Sequence, residues 1–459
     1  MDSRALRPSP ALTGPTGRRN AARAPSTPAA EAANGAAPGC DGYTRDVGLS
    51  VGPPPVAPDD AESRLYLADN LPVMRALARE VGPRFKLAYL DPPYNTGRSF
   101  AEYEDSCSRE EWLSRIGPRV VAIRDLLRED GALVAQIGDT ELGALLVLLD
   151  DVFGAKNRVS TITIVRSAAT GHKAKNRGPV NVTDFLLLYA KDRTRFAPTA
   201  LYKRRAGIDS AYRTFVENPD GAPQDFVFAP LGKAAARALG HETSRAARLA
   251  LGAQAWDEHT CRFARENARH VVRFAQVRFE AVSRDAQRLV VASKATPGKV
   301  LTLARKGVPD LLLRDGNRIL FLASKMRSLA SDGTVDVAAS SPTVPCEPLT
   351  NVWDDIPFQG IAREGGVVFV RNKKPERLLQ RIVALTTNVG DWVLDPYLGS
   401  GTTAAVASTM NRKWIGIECG NHGETLAIPR LSRVCSGADR TGIRRDAPCS
   451  PKGGFGVYR

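Results

Sequence analysis

The chain has 459 residues, 43% of them hydrophobic and 25% charged, enough apolar material for a substantial core and two or three domains, which excludes a small module held together by staples. Lysine and arginine number 64 against 49 aspartate and glutamate, a net charge of +15, so polyanions are the partners that electrostatics favours, although a solvated basic surface gives the same sum. Seven cysteines stand singly, with no CxxC pair and an odd total, which argues against a disulfide framework or a zinc site and fits a reducing cytoplasm. No apolar run is long enough to span a bilayer and the N-terminus has no secretory hydrophobic core, so no membrane partner is expected.

Residues 1–58 are rich in Ala, Pro, Gly and Arg without helical or strand periodicity, the composition of a disordered leader. An Arg-rich, acid-poor start is also compatible with a transit peptide or an upstream start codon. From residue 59 to 193 the pattern is β-α-β: RLYLAD a strand, NLPVMRALAREV a helix, FKLAY a strand, WLSRIGPRVVAIRDLL a helix, GALVAQIGD a strand, ELGALLVLLDDVFG a helix. VSTITIV and DFLLLYAK read as further buried parallel strands. Between 194 and 350 the rhythm breaks, and this segment holds 24 Lys and Arg against 15 Asp and Glu. Within it Arg262, Arg265, Arg269 and Arg273 recur at spacings of three and four, predicting four guanidiniums along one helix face, either solvated or aimed at phosphates. PDLLLRDGNRILFLASK predicts a β-hairpin turning at Asp-Gly-Asn. From 351 to 435 the α/β pattern returns, with KKPERLLQRIVALTT a helix and GDWVLDPYLGSGTTAAVASTMNRKWIGIE a strand, glycine loop, helix and strand. Residues 436–459, rich in Gly, Arg and Pro, read as a loosely held tail. There is no internal repeat.

Two stretches carry chemistry. In LDPPYNTG, Asp91 sits where a strand ends, and Pro92 and Pro93 make a stiff turn whose carbonyls are free to accept, followed by Tyr94 and Asn95; a capped turn or a small site both fit these residues. In the second stretch Gly399, Gly401 and Ala404 match GxGxxG/A after a strand, with Glu418 at the tip of the next strand, so an adenosine-bearing cofactor is implied. GSGTT has no lysine for phosphates, which disfavours a Walker A loop. A dehydrogenase is the stronger rival, but Asp395 before the loop is unwelcome beside a pyrophosphate and welcome beside the ammonium and sulfonium of S-adenosylmethionine.

LDPPYNTG and VLDPYLGSGTT, with KKPERLL upstream of the latter, resemble the DNA amino-methyltransferases in their β-type order, catalytic motif first and cofactor motif last. RLYLADNL, RSAATGHKAKNRGPVNVTDFLLLYAKD and NVWDDI are similar to the modification (Mod) subunits of type III restriction systems and their solitary adenine-specific relatives. The resemblance covers residues 64–193 and 351–435 and implies a doubly wound, mostly parallel α/β Rossmann-like methyltransferase sheet, interrupted by a basic target-recognition insertion at 194–350. It implies methyl transfer from S-adenosylmethionine to adenine N6 in duplex DNA, with the base flipped out. Asp91 and the carbonyl of Pro92 would accept the amine protons, Pro93 would stiffen the turn and Tyr94 would stack on the base. Asp395, Gly399, Gly401 and Glu418 would hold the cofactor, with Lys374 and Pro375 lining its methionine side. Asp69 and Asn70 are either a cofactor-side element or a helix cap, and His172 and Lys173 a DNA-contacting loop or a solvated turn. A restriction subunit and a homodimer are the further partners implied. The alternatives are a cytosine-N4 methyltransferase and a DNA-binding specificity subunit without methyl transfer. Tyr397 stands where the family usually has Phe, and the chain ends soon after Glu418, so the next cofactor-strand motif is not evident.

Overall fold

The computed structural model describes residues 63–99, 104–168, 178–335, 342–369, 373–445 and 454–459; the expectations for the leader and for His172 and Lys173 lie outside them. Among the described residues nine strands form one sheet. They are β1 (Ser63–Tyr66), β2 (Phe85–Leu90), β3 (Leu127–Ile137), β4 (Arg158–Val165), β5 (Thr183–Ala190), β6 (Val352–Trp353), β7 (Trp392–Asp395), β8 (Lys413–Ile417) and β9 (Phe455–Tyr458), in the order β6-β4-β5-β3-β2-β7-β8-β1-β9. β1, β2, β3, β7 and β8 are mutually parallel, so their carboxyl ends share one edge.

Alternation along each strand supplies two cores. On β2, Leu87 and Tyr89 join one apolar layer and Ala88 and Leu90 the other, with Phe85 joining the latter because the register shifts before Leu87, which is why FKLAYL reads as a largely apolar run. Each fully buried leucine here contributes about 1.5–3 kcal/mol. α1 (Asn70–Glu80), α2 (Arg109–Leu126) and α3 (Leu142–Phe153) pack on the Leu90 side; α4 (Glu376–Thr386), α5 (Thr402–Thr409) and α6 (Ile428–Cys435) pack on the Tyr89 side. α1 starts where Asp69 Oδ1 accepts from Leu71 N at 2.9 Å, an N-cap of the kind that stabilises a helix by about 1 kcal/mol.

Three expectations are corrected. DFLLLYAK is a buried strand, but it runs antiparallel to both β3 and β4; a run of buried apolar residues does not record its direction. The final residues are not a loose tail: Phe455–Tyr458 pairs in parallel with β1, Tyr458 stacks on Tyr66 at 5.1 Å, and Ile443 and Arg444 are buried. The four arginines do not share a helix face. The helix Ala253–Glu266 carries Arg262 and Arg265 and then stops, Arg269 follows in the turn, and Arg273 lies on the strand Val271–Gln276. There Val271, Val272 and Phe274 favour sheet pairing, and Arg273 packs over Tyr212 and pairs with Asp209 at 2.8 Å.

Residues 202–348 hold two further sheets outside the nine strands, of six and three strands. The hairpin expected there forms between Leu311–Arg314 and Asn317–Phe321, with Asp315 and Gly316 at φ 51° and 75°, the two positive angles that a tight I′ turn requires.

Candidate active site

The carboxyl edge of β7, β8 and β1 builds one half of the site. Gly399 and Gly401, at φ 57° and 79°, turn the chain from β7 into α5 through left-handed backbone that only glycine enters without strain. Glu418, 6% exposed at the tip of β8, accepts from Gly399 N and Gly420 N at 2.8 Å each, and His422 Nε2 lies 3.0 Å from the same carboxylate. A carboxylate has about four lone-pair sites, so Glu418 braces the glycine loop and, with His422 also at hand, keeps about one site for a hydroxyl. His422 stacks on Phe369 at 5.4 Å, and Phe369 also lies against Gly399, giving this side of the loop an aromatic wall.

Asp395 ends β7, 3% exposed, and accepts from Tyr397 N at 3.0 Å. Burial pushes its carboxyl up to about 7, with Asp91 and Glu418 adding to the rise and bonds from Thr403 and Tyr397 opposing it. A buried carboxyl poised near neutrality ionises readily when a cation arrives. The donor set therefore fits a ligand with adenosine and ammonium groups.

β2, the neighbour of β7, ends in the second half of the site. Tyr94 Oη donates to Asp91 Oδ1 at 3.1 Å, and burial holds the Tyr94 phenol well above its ordinary range, so it remains a donor. Trp112 Nε1 donates to Pro93 O at 2.8 Å and fixes the turn. Asn95, at φ 54°, donates from Nδ2 to Glu141 Oε1 and accepts from Cys107 N, 2.9 Å each, while Arg109 pairs with Glu141 at 2.7 Å. Asn95 thus clamps the exit of the turn.

The structure brings Asp91, Pro92, Pro93 and Tyr94 together with Asp395 at adjacent strand tips, and Gly399, Gly401 and Glu418 one strand further. The Lys374 ammonium is 2.8 Å from Asp91 Oδ2 and 5.0 Å above the Tyr94 ring. Its neighbour Lys373 is buried and donates to the carbonyls of Val367 at 2.7 Å and of Glu364, and burial lowers its amine to about 8. Pro375 is the N-cap residue of α4. Asp69 and Asn70 act as a cap and a brace: Arg119 binds both, and Asn70 Nδ2 donates to Pro396 O at 2.8 Å.

Sequence reasoning missed Arg430, which is 0% exposed. It donates to Glu376 Oε1 and Thr402 Oγ1 at 2.6 Å each and to Ser400 O at 3.3 Å, tying α6 to α4 beneath the glycine loop. An arginine on an amphipathic helix gives no local sign of being buried; the apolar residues around it, Ala427, Leu431 and Val434, were the available signal.

The doubly wound sheet thus presents an acid-proline turn and a glycine loop at adjacent strand tips. The family profile described as DNA methylase matches residues 85–274 and 317–428, and the chain belongs to that family. It is 27% identical over 402 residues to the probable type III restriction-modification enzyme HindVI Mod subunit of Haemophilus influenzae, covering 82% of this chain and 51% of that protein. The chain thus spans about half the length of that relative. It is 25% identical over 363 residues to the type II methyltransferase M.EcaI of Enterobacter cloacae, covering 76% of this chain and 65% of that one. Among solved structures, the cytosine-N4-specific PvuII DNA methyltransferase aligns over 87% of this chain and 95% of its own, at 12% identity and a TM-score of 0.40. Among the described residues no helix is long and apolar enough to cross a membrane.

Proposed function

We propose that this chain methylates the N6 amine of adenine at a specific sequence in duplex DNA, using S-adenosylmethionine. The observation that carries the reading is the Asp91 carboxylate, braced by Tyr94 at 3.1 Å at the tip of β2, one strand from Asp395. The cofactor supplies a methyl group on a sulfonium that departs as a neutral thioether. Asp395 would meet its ammonium, Gly399 and Gly401 would allow close backbone approach, and Glu418 would take a ribose hydroxyl.

The amine of adenine is a weak nucleophile because its lone pair is delocalised into the ring. Asp91 accepts one N–H and the Pro92 carbonyl the other, since Trp112 already occupies the Pro93 carbonyl; two acceptors below the ring favour a tetrahedral nitrogen with its lone pair aimed at the methyl group. Tyr94 stacks on the extruded base, a contact of about 1–3 kcal/mol. Orientation on two rigid strand tips supplies much of the acceleration, and no covalent enzyme intermediate is needed. The excess of nine positive charges in residues 194–350 supports an insertion that meets phosphates, and the name of the Haemophilus relative supports a restriction subunit as a further partner.

Single-molecule sequencing of DNA from cells with and without the gene tests this. N6-methyladenine in one sequence context, absent with Asp91→Ala, is the expected result; N4-methylcytosine would replace the acceptor, and no modified base would end the reading.

A further inference from the structure

Asp184 is a buried carboxylate, 3% exposed, for which the mechanism proposed for Asp91 has no use. Its Oδ2 accepts from Gln136 Nε2 at 3.2 Å, and Gln136 Oε1 accepts from Tyr89 Oη at 2.6 Å. Arg166 Nε stands 2.9 Å from its other oxygen. Tyr89 and Asp91 are two residues apart, so they leave the sheet on the same side, and Gln136 of β3 and Asp184 of β5 meet Tyr89 there. That side is covered by α4, whose Leu378 and Leu379 share a core with Tyr89. Lys374 precedes α4 by two residues and so enters the site over the same side. β3 separates β2 from β5, and the register sets Asp184 two residues beyond the position level with Asp91, which puts the two carboxylates about 12 Å apart at the backbone, a gap with Lys374 above it on a flexible four-carbon stem.

The Lys374 ammonium now occupies what a flipped base would need, the Asp91 oxygen at 2.8 Å and the face of the Tyr94 ring at 5.0 Å. A base can take these contacts only when the ammonium leaves them, and Lys374, with 17% of its side chain exposed, is then partly shielded from water and favoured by a second carboxylate nearby. We propose that Asp184 is a positioning residue that receives the Lys374 ammonium when the target base takes its place on Asp91 and Tyr94, so that the pocket opens without stranding a charge. The charged groups acting on Asp184 are Arg166 from the end of β4, Lys374 and Asp91; burial raises its carboxyl to about 6, against the pull of Arg166 and Lys374. It is therefore ionised and able to receive the lysine at neutral pH and loses that ability in acid.

The inference rests on Asp91 as the amine acceptor, and a double-mutant cycle on the full chain separates the two. A duplex carries 2-aminopurine at the target position found by sequencing, and its fluorescence reads base capture, while methyl transfer is read on the matching duplex with adenine there, because 2-aminopurine has no amine at C6. Asp184→Asn is expected to weaken capture at least tenfold at neutral pH while S-adenosylmethionine affinity stays within twofold. Lys374→Met removes the charge to be received, so adding Asp184→Asn to it should change capture by less than twofold. Asp184→Glu, which keeps a carboxylate, should recover most of the capture lost in Asp184→Asn, and Asp184→Ser, which also removes the charge, takes the place of Asp184→Asn in the cycle should that variant not fold. Equal losses from Asp184→Asn in both backgrounds, or Asp184→Glu no better than Asp184→Asn, would overturn the role of Asp184. A parent protein without adenine methylation would instead overturn the role of Asp91.

Discussion

The role proposed for Asp395 makes cofactor binding depend on pH. Moving its carboxyl from 3.8 to about 7 corresponds to an ionisation penalty on the order of 4 kcal/mol, at 1.36 kcal/mol per unit. If only the ionised carboxylate binds the ammonium, the apparent Kd is the limiting Kd divided by the ionised fraction. That fraction is about 0.9 at pH 8, 0.5 at pH 7, 0.1 at pH 6 and 0.01 at pH 5. Calorimetry with S-adenosylmethionine should show Kd rising about tenfold from pH 8 to pH 6 and about another tenfold to pH 5, with protons released on binding. Asp395→Asn keeps an acceptor for Tyr397 N and should bind more weakly with a nearly flat profile. The same shift acts on folding. The native state retains a proton that the unfolded chain has released, so this group's contribution to stability is full below about pH 4 and is lost as pH rises through about 7. A parent Kd that is flat from pH 5 to 8, or the same slope in Asp395→Asn, would refute the assignment of Asp395 to the ammonium.

Glu418→Ala removes the bonds to Gly399 N and Gly420 N, each worth about 1.5–3 kcal/mol for a charged acceptor, and calorimetry should show cofactor affinity falling at least tenfold; an unchanged affinity takes Glu418 out of the site. Arg262 and Arg265, both exposed on one helix, should reduce the log-log salt slope of DNA binding by about 1.8 when both become Ala, and an unchanged slope returns them to solvated surface. Arg430→Leu leaves Glu376 buried without its cation, so urea unfolding should show a loss of about 3–5 kcal/mol, while Arg430→Leu with Glu376→Leu should lose much less.

The two strand tips were legible because each is a local pattern: an apolar run, then an acid, then residues whose backbone preferences dictate the turn. Asp91, Pro92, Pro93 and Tyr94, and likewise Asp395, Gly399, Gly401 and Glu418, lie where their neighbours along the chain put them. Their order, and the charge excess between them, also implied a sheet interrupted by a basic insertion.

Tertiary structure alone decided what depends on partners distant in sequence. A four-residue strand such as Phe455–Tyr458 has too few side chains to announce itself, and only the open edge of β1 gives it a place. The direction of β5 follows from its pairing with β4 and β3, since alternation looks the same in either direction. Lys374 faces Asp91, and Lys373 faces the carbonyls of Glu364 and Val367, although in sequence they are two adjacent lysines. Side-chain charge sets what each can pair with, but the packing of α4 on the sheet decides which partner each one meets.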